Sequence, residues 1–453
     1  MRKTTKTYFY DMALACATLV IALSQNAHAA NWLDLQGNEP PGTKPFTFWG
    51  FIQPTYTYNE GGKVNGLTGA ANITAYNGQT PLFNLVAPDN EHRDQIQIFR
   101  ARFGARGVIP GTSEKINYFF LTEFGNNGLT RENLPVVSDA SLSFNYIPHA
   151  RVRVGLFKAP LGEEALQAIH VFDYINFSGI TDNLTLERFV SPVSTTRPVN
   201  VPPGLTAANV VDAVGAFRDV GVQVYDSFRR DKWEYAYAVM VGNGNGINFN
   251  DSNNKLDVTA RLQTSYIFGG KGPRRQDITA YVWTQDGKRT FNGVDYDRSR
   301  MGTGIKYLQA PFRVSAEYIR AKGMIFNGAN PPFNDIGLGF QPVAIVGLGS
   351  NNKADGYYLE GGWSINKQWE IDLRYDELNR LTNSAPDERK FSNWTLGVQY
   401  FFNPNTRLTF NYEVRDIKVA NPGALAAGPT RNNAEAIANS IGNRAGLQLT
   451  WIF

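Results

Sequence analysis

The sequence predicts an all-β protein, a transmembrane antiparallel β-barrel of about sixteen strands whose third external loop folds inward. Three observations lead there. Segments with apolar residues on one parity and polar residues on the other recur roughly every twenty to thirty residues. The connections between them alternate between short turns and long polar stretches. The last ten residues, Arg444 to Phe453, form one such segment: Ala445, Leu447, Leu449, Trp451 and Phe453 share one face, and Arg444, Gly446, Gln448 and Thr450 the other. A strand of that kind is suited to pair with the first and leave no open edge in lipid.

Composition agrees. The 453 residues are 42% hydrophobic, and outside the N-terminus no apolar run approaches the ~20 residues a spanning helix needs. The 21 Tyr, 29 Phe and 43 Gly suit strands that end in interfacial aromatic girdles. With 44 Lys+Arg against 40 Asp+Glu, a nucleic-acid partner is not indicated.

Residues 1–29 read as a secretory signal peptide. Arg2, Lys3 and Lys6 form its charged start, Met12 to Leu23 its apolar core, and Ala27-His28-Ala29 a small-x-small cleavage site. Cleavage there removes three bases and one acid, so the net charge falls from +4 to +2. It also removes Cys16, the only cysteine, and the apolar run continuing past Cys16 disfavours a lipid anchor at that thiol. Residues 30–45 are expected to be a Pro/Gly-containing periplasmic lead.

The barrel itself is expected over 46–453, with strands near 46–58, 95–109, 115–124, 138–147, 151–158, 218–227, 232–242, 256–268, 277–285, 298–308, 312–322, 355–365, 368–376, 392–402, 406–415 and 443–453. Connections after even-numbered strands are turn-like, for example Pro110-Gly111, Pro148-His149, Asn366-Lys367 and Asn403-Pro404-Asn405. Those after odd-numbered strands include the longest, 59–94, 159–217, 324–354 and 416–442. Sorting by parity is what a barrel produces when turns lie in the periplasm and loops outside, and a sandwich has no reason for it. An even count puts both ends of the barrel on the periplasmic side.

Face assignment follows. Trp369, Ile371, Leu373 and Tyr375 are expected to face lipid, and Glu370, Asp372, Arg374 and Asp376 the lumen. A charge on the lipid face costs ~2–4 kcal/mol at the bilayer midplane, so the charged parity must be inside. The lumen is therefore polar and wet, as in a channel.

Loop 159–217 is the most informative connection. Ile169, Val171, Phe172, Tyr174, Ile175 and Phe177 would be stranded in water on an external loop, whereas folding inward buries them and narrows the bore. Its acids are Glu163, Glu164, Asp173, Asp182 and Glu187, and its bases include Arg188 and Arg197. On the lumenal parity of the early wall lie Arg100, Arg102 and Arg106, then Arg151 and Arg153, with Lys158 at the root of the loop. Like charges two residues apart lie ~7 Å apart on one face and repel unless anions or carboxylates sit between them. The loop acids are one candidate partner for this ladder. Glu123 and Asp139 on the intervening strands are the other.

Signals for an enzyme are poor. His92, His149 and His170 have no metal-ligand spacing, and no cofactor is called for. A barrel-embedded hydrolase using His170, Ser178 and Asp173 would lack any nucleophile elbow, and a loop-based adhesin or receptor would rest on 59–94 and 324–354. Gly242 to Gly246 alternates glycine with asparagine, but it opens no helix and reads as an external turn.

Several stretches carry a family resemblance: GLFKAPLG (Gly155 to Gly162), LTLERF (Leu184 to Phe189), FRDVGVQVYDSF (Phe217 to Phe228), VGNGNGIN (Val241 to Asn248) and DGYYLEGGWSIN (Asp355 to Asn366). Together the chain resembles the phosphate-selective porin O and P family of Gram-negative outer membranes. The resemblance implies a sixteen-stranded homotrimeric porin, with the loop around Leu184 to Phe189 in the pore. It also implies passive diffusion of small hydrophilic solutes or ions, anions such as phosphate among them. For phosphate, the resemblance implies a basic ladder, for which Arg100, Arg102 and Arg153 are available, with lysines at the constriction. No lysine occurs between Ala159 and Arg230, and the loop is acid-rich.

Overall fold

A computed structural model describes residues 31–62 (36, 40 and 41 apart), 67, 81, 83–84, 93–127, 135–186, 217–247, 251, 253–270, 275–291, 294–326, 346–347 and 351–453. The expected signal peptide, together with Glu187, Arg188 and His92, lies outside the described residues.

Alternation of parity becomes a closed antiparallel barrel. Its strands are β1 (Thr47–Asn59), β2 (Arg93–Val108), β3 (Ile116–Glu123), β4 (Val136–Phe144), β5 (Arg151–Lys158), β6 (Arg218–Arg230), β7 (Trp233–Gly242) and β8 (Asp257–Gly269). They continue with β9 (Gln276–Phe291), β10 (Val294–Gln309) and β11 (Phe312–Lys322). A small hairpin, β12 (Ile325–Phe326) with β13 (Val346–Gly347), stands apart from the barrel sheet. The barrel resumes with β14 (Lys353–Ser364), β15 (Trp369–Arg380), β16 (Arg389–Asn403), β17 (Thr406–Val419) and β18 (Arg444–Ile452), sixteen strands paired in chain order around the ring. Closure is by β1 on β18, in a register that sets Ile52 against Trp451 and Asn59 against Arg444. Gly50 and Phe453 exchange both backbone hydrogen bonds at 3.0 Å.

Every expected strand is present, but β9, β10, β15, β16 and β17 run several residues further outward than the sequence suggested. Above the membrane both faces are polar, so the period-two signal fades while the ladder bonds continue. Lys288 and Asp297, 3.1 Å apart, pair across β9 and β10 in that extension.

The outward parity is apolar and exposed, with Val239, Leu262, Val282, Ile305, Leu359, Leu373 and Leu396 among it. Aromatic girdles flank it: Trp233, Tyr266, Phe268 and Tyr307 touch in a row near the periplasmic turns, and Tyr357, Tyr375 and Trp394 do so at the other end. Amphipathic rings of this kind settle at headgroup level. The buried apolar cluster lies inside the barrel, where Phe172, Tyr174, Ile175, Phe177, Ile180 and Leu184 pack with wall residues Phe51, Phe157, Trp283, Ile319 and Phe391.

Part of the lead is seated against the inner wall of the barrel. Helix α1 (Trp32–Leu35) packs on β6 and β7, burying Trp32 and Leu33 against Tyr225, Ala236 and Ala238 on the inward parity. These two apolar side chains find a dry surface at the edge of a charged lumen.

Candidate functional site in the barrel lumen

Segment 159–186 leaves the end of β5 and runs along the inner wall. It contains α2 (Glu163–Leu166), a 3₁₀ turn (Ile169–Val171) and α3 (Gly179–Leu184), the last capped by Ser178, whose hydroxyl accepts from the Thr181 amide. These helices are too short to hold themselves, so wall side chains bond their backbone and acids. Lys158 Nζ donates to the carbonyls of Leu166 (3.3 Å) and Gln167 (2.8 Å). The Ile175 amide donates to Asn411 Oδ1 at 2.7 Å, and the Gly179 amide to Asp376 Oδ1 at 2.6 Å. Arg300 Nε donates to Leu184 O at 2.7 Å, and Arg407 donates to the carbonyls of His170 and Phe172.

Three acids of the segment, Glu163, Glu164 and Asp173, are engaged with the far wall. Glu163 binds Lys306 Nζ at 2.7 Å and Arg261 Nη2 at 2.9 Å. Burial alone would raise its pKa, but these two cations hold it below the ordinary carboxylate range. Glu164 accepts from Arg374 at 3.1 Å and from Ser178, and Asp173 lies 3.2 Å from Arg313 Nε. Asp182 is buried in the first turn of α3. Loop and ladder therefore do not meet as the sequence suggested. The partners of Glu163, Glu164 and Asp173 are Arg261, Lys306, Arg313 and Arg374 on β8, β10, β11 and β15, rather than Arg100, Arg102 and Arg153.

The early bases form a wall of their own. Arg100 Nη1 donates to Gln53 Oε1 at 3.2 Å, and Arg102 pairs with Glu123 at 2.5 Å. Arg153 donates to Ser143 Oγ at 3.2 Å and to Tyr225 OH at 3.0 Å. Arg151 pairs with Asp226 at 2.8 Å, and Arg106 is 3.7 Å from Glu39. Sequence reading missed Arg218, the first residue of β6, which takes Asp139 at 3.0 Å and crowds Lys158 and Arg102. Its place inside the FRDVG stretch was the available signal. The buried side chains of this wall comprise five bases (Arg100, Arg102, Arg153, Lys158, Arg218) and four carboxylates, Glu123, Asp139, Asp219 and Asp226. On the far side the acids Glu163, Glu164, Asp173, Glu317, Glu360, Glu370, Asp372 and Asp376 are interspersed with the bases Arg261, Arg298, Arg300, Lys306, Arg313, Arg374, Arg380 and Arg407, so both signs line the lumen there.

Open space flanks the segment. A chamber of about 590 Å³ is lined by Glu163, Asp173, Lys306, Arg313 and Glu360, and a smaller one of about 290 Å³ by Leu161, Arg218, Asp257, Arg289 and Arg298. His170, Ser178 and Asp173 are not bonded to one another: His170 stacks on Trp49 and Phe51, Ser178 is held by Glu164, and Asp173 by Arg313. Among the described residues no group of three or more His, Cys, Asp or Glu is gathered to hold a metal.

The profile of the phosphate-selective porin O and P family matches residues 81–422. The chain belongs to this family. No curated protein matches it. Among solved structures, the porin is similar to an anion-selective porin from Comamonas acidovorans: TM-score 0.51 and 13% identity, covering 90% of this chain and 99% of that one. It is also similar to the outer-membrane channel DcaP of Acinetobacter baumannii, with TM-score 0.49 and 12% identity over 92% and 100% of the two chains. It is an outer-membrane porin, a channel for passive diffusion.

Proposed function

We propose that segment 159–186 sets the bore of this porin, and that small anions, phosphate among them, pass along the basic wall of β2, β5 and β6. The run of bases Arg100, Arg102, Arg153, Lys158 and Arg218 along that wall carries the reading. A row of bases along one side of a pore offers successive shallow anion sites, which permit passage without capture. The ion path then includes Arg100, Arg102, Arg153 and Lys158, with Arg106 and Arg151 nearer the periplasm and Asp173 and Asp182 on the loop side. Phosphate follows from the family name and the same wall. The acids opposite direct cations and dipolar solutes to the other side. The test is to add inorganic phosphate to single channels bathed in potassium chloride. Phosphate passing through the chloride path interrupts the chloride current in a concentration-dependent way. An undisturbed current assigns the basic wall to general diffusion only.

We further infer that the porin is a homotrimer joined through β3 to β5. Those strands have 8, 9 and 8 residues, against 16 in β9 and β10. An eight-residue strand tilted by ~40° rises only ~20 Å, short of the ~25 Å apolar band. Outward Phe120, Leu142 and Val154 make that low side apolar, which suits a neighbouring copy. Cross-linked protein extracted in mild detergent is expected to run at three times the chain mass, and a monomer would overturn this inference.

A further inference from the structure

The lead follows the inner wall from β7 round to β3. Asn31 donates through Nδ2 to Glu234 at 3.4 Å, and Trp32 and Leu33 pack with Tyr225, Ala236 and Ala238. The same cluster includes Leu166 of the loop, with Ala168 and Val171 against it. Gly37 turns with φ of +68°, and a Cβ there would lie 3.1 Å from Ser143 Oγ and 3.2 Å from Arg153, so the backbone is pressed onto the wall. The Glu39 amide then donates to Asn117 Oδ1 at 2.7 Å, and its carboxylate sits 3.7 Å from Arg106.

We propose that the described residues of the lead, 31–35 and 37–39, are a second constricting element of the pore, seated beneath segment 159–186 and joined to it through Trp32. This goes beyond the assignment of the bore to the loop and rests only on the chain being a channel. Trp32 lines the 590 Å³ chamber together with Glu163, Asp173 and Arg313, so a solute leaving the loop on the periplasmic side passes the indole. The burial of Trp32 needs both the wall and the loop, so the lead also braces α2 from below. Glu39 meanwhile places a carboxylate beside Arg106, which reduces the pull of that base on anions. Burial raises the Glu39 pKa, with Arg106 opposing. The lead therefore acts on bore through Trp32 and on charge through Glu39.

The test uses the full chain with Cys16→Ser and Trp32→Cys, reconstituted in planar bilayers and treated with a cationic methanethiosulfonate reagent. Modification is expected to lower single-channel conductance by roughly a third or more, because a bulky group now fills part of the chamber. Reduction restores it. Conductance unchanged after modification confirmed by mass overturns the proposal, because the lead then lies outside the current path. Asn31→Cys gives the same expected block should Trp32→Cys fail to assemble. Glu39→Gln is expected to move the reversal potential toward anions, and an unmoved potential removes the electrostatic half of the proposal. If the channel assignment itself were at fault, the unmodified protein would not conduct at all.

Discussion

Arg102 and Glu123 face each other across β2 and β3, both almost fully buried. Removing one partner of a buried pair leaves an uncompensated charge and costs about 3–5 kcal/mol. Arg102→Ala is therefore expected to lower the temperature at which the barrel unfolds in detergent, whereas the double replacement Arg102→Ala with Glu123→Ala recovers much of the loss. If the double variant is no better than the single, the pair is not coupled. His170 offers a second residue-scale prediction. Burial, then Arg407, Arg102, Arg106 and Lys158, push its pKa down from 6.5 to about 3. It stays neutral when docked, so its contribution is complete above the unfolded value and is lost as pH falls from 6.5 towards 3. Loop docking is thus expected to loosen in acid, seen as noisier conductance at pH 4 than at pH 7. His170→Phe keeps the ring against Trp49 and Phe51 and should lessen that dependence, and an unchanged acid response would rule His170 out. At this scale the sequence was legible where partners sit on adjacent strands, as Arg102 and Glu123 do. It was not where they lie far apart in the chain: Arg374 and Glu164 are 210 positions apart and meet only because the barrel closes.

Among elements, segment 159–186 shows what patterning can and cannot reveal. Its apolar residues signalled burial, since a surface loop cannot carry Phe172, Tyr174, Ile175 and Phe177 in water. The direction of its charges was not readable, because inward arginines occur on many strands and alternation ranks none of them. Arg374 is the strongest anchor on geometry, bonding Glu164 and the Asn176 carbonyl while stacking 4.4 Å over Tyr174. Arg374→Ala is expected to free the middle of the segment. Single-channel records should then show larger, slower fluctuations, and deletion of Ile175 to Leu184 should raise mean conductance. A deletion that leaves conductance unchanged would make the segment a lining rather than the constriction. The docking of the lead was not legible for a related reason: Trp32 and Leu33 are too few for a periodic signal, and their partners lie some 200 residues away on β6 and β7.

For the whole molecule, alternation and loop parity were sufficient to count the strands, because lipid permits only one way of satisfying the backbone. Closure depends on small contacts at the seam. Gly50 has no room for a side chain: a Cβ would lie 2.5 Å from Arg102 O and 2.6 Å from the Phe453 ring, which also touches Phe48 and Phe103. Gly50→Val is expected to reduce assembled barrel in the outer membrane sharply, and normal levels would deny the seam this role. The uneven strand lengths that shape the low side were not legible, since length depends on where the outer polar ladder stops. What the closed ring accomplishes is to set β2, β5 and β6, with their run of bases, across the lumen from β11 and β15, which carry Glu317, Glu370, Asp372 and Asp376. The reversal potential of the wild-type channel under a potassium chloride gradient, set beside that of Arg100→Ala with Lys158→Ala, tests that arrangement most directly. The wild-type potential is expected on the chloride side, and the double variant is expected to move towards potassium. A wild-type potential on the potassium side, or one that the two replacements leave in place, would contradict an anion path along the basic wall.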